Sequence, residues 1–414
     1  MSTTTTMAPV FDPRRPEVIQ DPMPALRYLQ AHEPVHWSNA LKAWVVTRYD
    51  DCKLVAMDKR FSAERMKAFF AHLPPDKRAR VSELEWSIGL WAVFLDPPDH
   101  TRLRGLMNRA FTSRAVRSME TRIEALVDEL LDAALAGGSG EMEYIRDFAY
   151  PLPALVIMDL LEMPRERLDD FKRWSDELVL FVGGALVTEE KYERAEKATE
   201  EMIAFFRELI AERRRNLGDD LISALIQAEE AGDALNEREL IANCILLLFG
   251  GHETTKNLLA NGLLYLIRNP EECERLRHDP TLAGSAVEEM LRVEGPSGAM
   301  VRVATEDVVL HDVTIGRGQR VYIMQNAANR DPRVFEEPDR FDVARSHNRQ
   351  ITFGHGIHFC IGAPLARLEG RVAFPRLLQR ISDIELALPE PDWLDSIVFR
   401  GMRMMPIRFR QIGG

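Results

Sequence analysis

Cys360 stands in the string Phe353-Gly354-His355-Gly356-Ile357-His358-Phe359-Cys360-Ile361-Gly362-Ala363-Pro364-Leu365-Ala366-Arg367. Glycines at 354, 356 and 362 allow backbone conformations closed to other residues. The residues from Ala363 to Glu369 read as a helix. A thiolate just ahead of a helix N-terminus is stabilised by the dipole and by free amides. Turn amides bent toward the sulfur would also tune a bound metal. The plainer alternative is a buried thiol on a glycine-rich turn, the ordinary fate of cysteine. Cys52, Cys244 and Cys273 are scattered with no Cys-x-x-Cys spacing, and for them that alternative suffices.

Three other groupings carry chemistry. Gly250-Gly251-His252-Glu253-Thr254-Thr255 places an acid and two hydroxyls in an apolar stretch. Burying an unpaired acid is costly, which argues for a purpose. The pair His252-Glu253 also suggests a zinc protease, but H-E-x-x-H needs histidine at 256, which is Lys256. Glu289-Met290-Leu291-Arg292 puts an acid and a base on one helix face, where they can pair. In Asp96-Pro97-Pro98-Asp99-His100-Thr101-Arg102-Leu103-Arg104, Asp99 can cap a helix, and His100 and Arg104 fall at i, i+4 on one face, as solvated helix charges in the plain reading.

The elements that position these groups are mostly helical. Ile123, Leu126, Val127, Leu130, Leu131 and Ala134 repeat with the period of a half-buried helix. The charged stretch Glu189–Arg215 forms another, with Met202, Phe205 and Leu209 on its apolar face. Asn236 and Glu239 make a capping-box start for a helix running toward Pro270. Its centre, Ile245 to Phe249, is apolar on every side, so it crosses the protein interior. Strand signals are few: Trp44–Val46, and a short meander of Val308–Leu310, Val313–Ile315 and Arg320–Ile323. The expectation is a mainly α fold with a small antiparallel β region.

The chain has 414 residues and a net charge of −12, from 53 basic and 65 acidic side chains. Such an acidic surface argues against nucleic acid as a partner. The longest apolar run, Leu178–Val187, is too short to cross a membrane. The Thr-rich residues 1–10, expected to be disordered, lack a signal pattern, so a cytoplasmic protein is expected. No Gly/Ser linker or repeat divides residues 1–414, which read as a single domain.

The F-x-x-G-x-H-x-C-x-G string around Cys360 resembles the haem-binding loop of the cytochrome P-450 superfamily, the haem-thiolate monooxygenases. Asn329-Arg330-Asp331-Pro332 with Phe335, Pro338 and Phe341-Asp342 is similar to the family's loop before the cysteine. The resemblance implies a single large domain of about a dozen or more helices around haem b, with the Cys360 thiolate as axial ligand. It assigns Thr254 to hydrogen-bonding bound oxygen, Glu253 to proton delivery, and Gly250 and Phe353 to the cofactor's surroundings. His100, Arg104, Arg302 and His358 match positions that hold the haem propionates. Glu289 and Arg292 match a buried structural pair, with Arg340 of Pro338-Asp339-Arg340-Phe341 as its third member.

The implied reaction inserts one oxygen atom of O2 into a C–H bond of a hydrophobic small molecule. Trp91, Val93, Phe181, Leu247, Ala299, Met300, Phe399 and Met402 would line the substrate pocket, with core packing the alternative for each. Further candidates are Phe69, Phe70, Trp86, Leu90, Leu178 and Val182. No flavin or iron–sulfur segment is seen, so electrons would come from a separate ferredoxin and its reductase. Arg102, Arg104, Arg109, Arg114 and Arg117, then Arg367 and Arg371, would form a basic docking face for it. Two rivals stay open: a peroxide-driven peroxygenase on the same fold, and a non-enzymatic haem-thiolate sensor.

Overall fold

The computed structural model describes residues 11–183, 188–218, 220–230 and 236–412. The expectation for residues 1–10 lies outside them. The helix capped by Asn236 runs over Glu237–Arg268. The Asn236 side chain accepts from the Glu239 amide at 2.9 Å, and the Glu239 carboxylate accepts from the Asn236 amide at 3.0 Å. At 1.5 Å per residue its 32 residues span about 48 Å. Most of this long helix is buried, including the polar His252, Glu253, Asn257 and Asn261. Other helices pack around it, among them Glu120–Leu135, Pro151–Leu160, Leu168–Gly183 and Glu189–Arg215. Each presents an apolar stripe inward: Ile123, Leu126, Val127 and Leu131 on the first, Met202, Phe206 and Leu209 on the last.

Ten strands are described: β1 (Val35–Ser38), β2 (Ala43–Val46), β3 (Phe61–Ser62), β4 (Glu141–Glu143), β5 (Ala299–Ala304), β6 (Val308–Leu310), β7 (Val313–Ile315), β8 (Arg320–Met324), β9 (Ile381–Leu386) and β10 (Pro406–Gln411). β6 and β7 form the expected hairpin, but β8 leaves it. It joins a sheet of order β1-β2-β8-β5-β3, antiparallel to β5 and parallel to β2. Val321 to Met324 are all buried, so β8 needs cover on both faces and takes a central place. β4, β10 and β9 make a second antiparallel sheet.

β5 matters most for the site. Alternation puts Met300 and Arg302 on one face and Ala299 and Val301 on the other. The second pair packs into a separate apolar cluster with Val45 and Tyr322.

Candidate active site

The cysteine loop is built by local rules. Gly354 and Gly356 have φ of +77° and +72°, a region that other residues enter only with strain. The Cys360 amide donates to the Phe353 carbonyl at 2.9 Å, closing the loop, and the helix Ala363–Arg380 begins three residues on. Desolvation of the sulfur inside the cavity raises the Cys360 thiol above its ordinary pKa. The Gly362 and Ala363 amides, with the charges of Arg104 and Arg367, pull the other way. Those same groups favour the thiolate once a cation sits on the sulfur. Cys52, Cys244 and Cys273 are buried, whereas Cys360 is exposed, opening onto a cavity.

That cavity lies between the long helix and the cysteine loop. Leu247, Gly250, Gly251, Thr254 and Thr255 form one wall, and Phe353, Gly354, His358, Cys360 and Leu365 another. The Thr254 hydroxyl donates to the Gly250 carbonyl at 3.0 Å, and that of Thr255 to Gly251 at 3.2 Å. A Cβ on Gly250 would meet nothing within 4 Å, because the cavity lies there.

Glu253 is not part of this wall. It is 1% exposed, bonded to Lys256 Nζ at 2.7 and 2.8 Å and to Asn257 at 3.1 Å. The helical step of about 100° per residue turns it away from the face shared by Gly250 and Thr254. His252 is fully buried, near Ser175 at 3.3 Å and edge-on to Tyr150 and Phe171. Its Nε2 has no partner among the described residues.

A basic cluster closes one side, with Arg104 and Arg302 as its fixed charges. The rings of His100 and His358 lie 4.2 Å apart. Burial, then Arg302, His100, Arg104 and Arg65, push the His358 pKa down to about 3. Burial also lowers His100, Arg104 and Arg302. Arg104 donates to the Phe359 carbonyl at 2.6 Å. The His100 Nδ1 is buried without a partner among the described residues. Among the described residues, neither Arg104 nor Arg302 has a carboxylate within ion-pair distance. A buried, uncompensated positive cluster requires an anion. The two carboxylates of a haem would supply that charge, and the apolar walls with one exposed sulfur would suit its ring and iron. The residues present therefore fit the group.

Glu289 and Arg292 are fully buried and paired twice, at 2.7 and 2.8 Å. The third member is not Arg340. That guanidinium is exposed and pairs with Glu337, while its carbonyl accepts from Arg292. Arg345 takes the role, donating to Glu289 Oε1 at 2.9 Å. The chain between residues 336 and 348 wraps the pair, and its path sets which arginine points inward.

Of the expected pocket residues, Val93, Leu247 and Met300 line the cavity. Trp91, Phe181, Ala299, Phe399 and Met402 do not. Trp91 packs on Phe94 and Phe249, and Phe181 on Phe69, Phe70 and Tyr192. Ala299 faces the other side of β5. Phe399 meets Phe249, and Met402 is core beside Trp393. Phe69, Phe70, Trp86, Leu90, Leu178 and Val182 are likewise core or packed against it.

The docking arginines also divide. Arg102 pairs with Glu239 and Asp99, away from the cysteine loop. Arg367 is tied to Glu288 and lies over the Phe353 ring. Arg109, Arg114 and Arg117 are exposed.

Sequence reasoning missed Arg65, Arg345, Glu369 and the pairing role of Lys256. Glu369 lines the cavity with one carboxylate oxygen unpartnered among the described residues, and burial raises it well above the carboxylate range. The i, i+3 spacing from Glu253 could have found Lys256.

A sequence model of the cytochrome P-450 family matches residues 37–384. The chain is 42% identical to cytochrome P-450 107B1 of Saccharopolyspora erythraea, over 89% of this chain and 90% of that one. It is 38% identical to the cytochrome P-450 monooxygenase PikC of Streptomyces venezuelae, over 94% and 92%. The solved structure of the Bacillus subtilis bacillaene polyketide synthase cytochrome P-450 PksS superposes with a TM-score of 0.86 at 37% identity, covering 96% and 99%. None of the described helices is long and apolar enough to cross a membrane. With the fold, a cysteine loop open to an apolar cavity and matches across nearly the whole length, this chain belongs to the cytochrome P-450 family, monooxygenases that bind haem b through a cysteine thiolate.

Proposed function

We propose that Cys360 is the axial ligand and that the chain inserts one atom of O2 into a C–H bond of a hydrophobic small molecule. The observation that carries this is the shared cavity: the exposed sulfur of Cys360 and the hydroxyl of Thr254 line one chamber whose other walls are largely apolar. Haem supplies the oxygen-activating chemistry when bound, and the protein supplies position, exclusion of water and protons.

His100, Arg302 and His358 hold the haem carboxylates through charge-assisted hydrogen bonds. Val93, Leu247 and Met300 grip the substrate by burial. Thr254 presents its hydroxyl to the cavity, held by the Gly250 carbonyl, and passes a proton from Oγ1. Glu253, once its carboxylate leaves Lys256 and takes up a proton from water, passes that proton on to Thr254 Oγ1. The ion pair is therefore a lock on the supply.

The electron donor is a separate ferredoxin-type protein docking near Arg109, Arg114 and Arg367. Ile357 and Phe359 are exposed apolar contacts on the same loop. The test is product formation with ferredoxin, reductase and NAD(P)H against hydrogen peroxide alone. Product with the electron-transfer chain supports the reading. Product with peroxide only makes the chain a peroxygenase, and none from a broad substrate panel makes it a sensor.

A further inference from the structure

Arg65 opens the helix Arg65–Ala71, just after β3. β3 pairs with β5 through Phe61 to Ala304 and Ser62 to Val303, which brings Arg65 beside Val301 and Arg302. Two guanidinium groups then converge on one acceptor. Arg302 Nη1 donates to the Val301 carbonyl at 3.1 Å, and Arg65 Nη1 approaches the same oxygen at 3.4 Å. Among the described residues, neither has a carboxylate within ion-pair distance. The nearest candidates are engaged elsewhere: Asp96 with Ser62 and the Ala63 amide, and Glu64 with Lys67.

One face of the Arg65 guanidinium is covered by the Phe94 ring, 4.3 Å away, so water does not screen it from that side. Burial and the charge of Arg302 lower the Arg65 pKa to about 10. Two cations gathered on one carbonyl, with no anion, repel each other. A backbone carbonyl does not offset that repulsion; a carboxylate placed between them does.

We propose that Arg65 is a further haem-carboxylate ligand, sharing one carboxylate with Arg302 and extending the cluster of His100, Arg104 and His358. The consequence reaches beyond the cofactor. Phe69, one helical turn on, is stacked on Tyr192, and Phe70 on Phe181. Cofactor charge thereby fixes the helix that packs against the Leu168–Gly183 and Glu189–Arg215 helices.

This inference rests on the reading that the cluster faces the haem carboxylates, and the test separates the two. Holoenzyme is mixed with excess apomyoglobin and the rate of haem transfer is followed by absorbance. Arg65→Gln is expected to lose haem about ten-fold faster than the parent protein, and Arg65→Lys, which keeps the charge, clearly less so. In protein reconstituted with haem dimethyl ester, whose carboxylates are blocked, Arg65→Gln and the parent are expected to match. An unchanged rate in Arg65→Gln overturns the proposal. So does an equal acceleration with the ester, which would mark a packing role on Phe94. Arg302→Gln is the control: if it too leaves the rate unchanged, the carboxylate reading of the whole cluster falls.

Discussion

Replacing Arg345 should cost far more than replacing Arg340, although Arg340 stands in the Pro-x-Arg-Phe string. Arg345→Ala removes a donor 2.9 Å from the fully buried Glu289, together with bonds to the Glu336, Glu337 and Arg340 carbonyls. Arg292 and Asn348 remain on the carboxylate. Stripping one partner from a buried ion pair costs about 3–5 kcal/mol, and the retained partners place this case near 3. Arg340→Ala breaks an exposed pair with Glu337 and should cost under about 1 kcal/mol. An unfolding entropy of about 2 cal/mol/K per residue converts 1 kcal/mol to about 1 °C for a chain of this length. The expected drop in Tm is about 3 °C for Arg345→Ala and under about 1 °C for Arg340→Ala. Thermal melts of the two holo variants at one scan rate decide it. An equal or larger drop for Arg340→Ala would refute the reasoning.

Three further outcomes are expected. The reduced carbon monoxide complex should absorb near ~450 nm, and Cys360→Ala should lose that band; a band unchanged in the variant excludes Cys360 as ligand. Lys256→Met frees the Glu253 carboxylate, so it should alter the solvent isotope effect on turnover while leaving the substrate-induced spin shift in place. An isotope effect equal to that of the parent removes Glu253 from the proton path. His252 is held neutral by burial and by Lys256 and Lys172. The unfolded chain binds a proton there below about pH 6.5 and the fold does not, so stability falls as pH drops by up to about 1.4 kcal/mol per unit. His252→Phe should flatten that acid slope, measured by denaturation at pH 5 to 7.

The cysteine loop was legible because its geometry is local. Left-handed glycines and a restarting helix are set by residues a few positions apart. The same holds for the capping box at Asn236 and for the Glu289–Arg292 pair. Arg345 and Arg65 were hidden because their partners lie 56 and 236 residues away, along paths no spacing encodes. The pocket residues failed on parity. Ala299 and Met300 are adjacent, and only the register of β5 decides which one faces the cavity. Glu253 and Thr254 differ by one helical step, and there the i, i+4 relation of Gly250 to Thr254 already held the answer.

Glu239 accepts from the Asn236 amide with one oxygen and from Arg102 with both. Arg102 rides the helix Asp99–Ala110, which also carries His100 and Arg104. One carboxylate thus pins two helices that both line the cavity. Change at position 239 would be felt twice, whereas change at Val93, Leu247 or Met300 touches neither joint. This separates the freedoms of the sequence: the lining can drift toward new substrates while the frame around the cysteine loop stays in register.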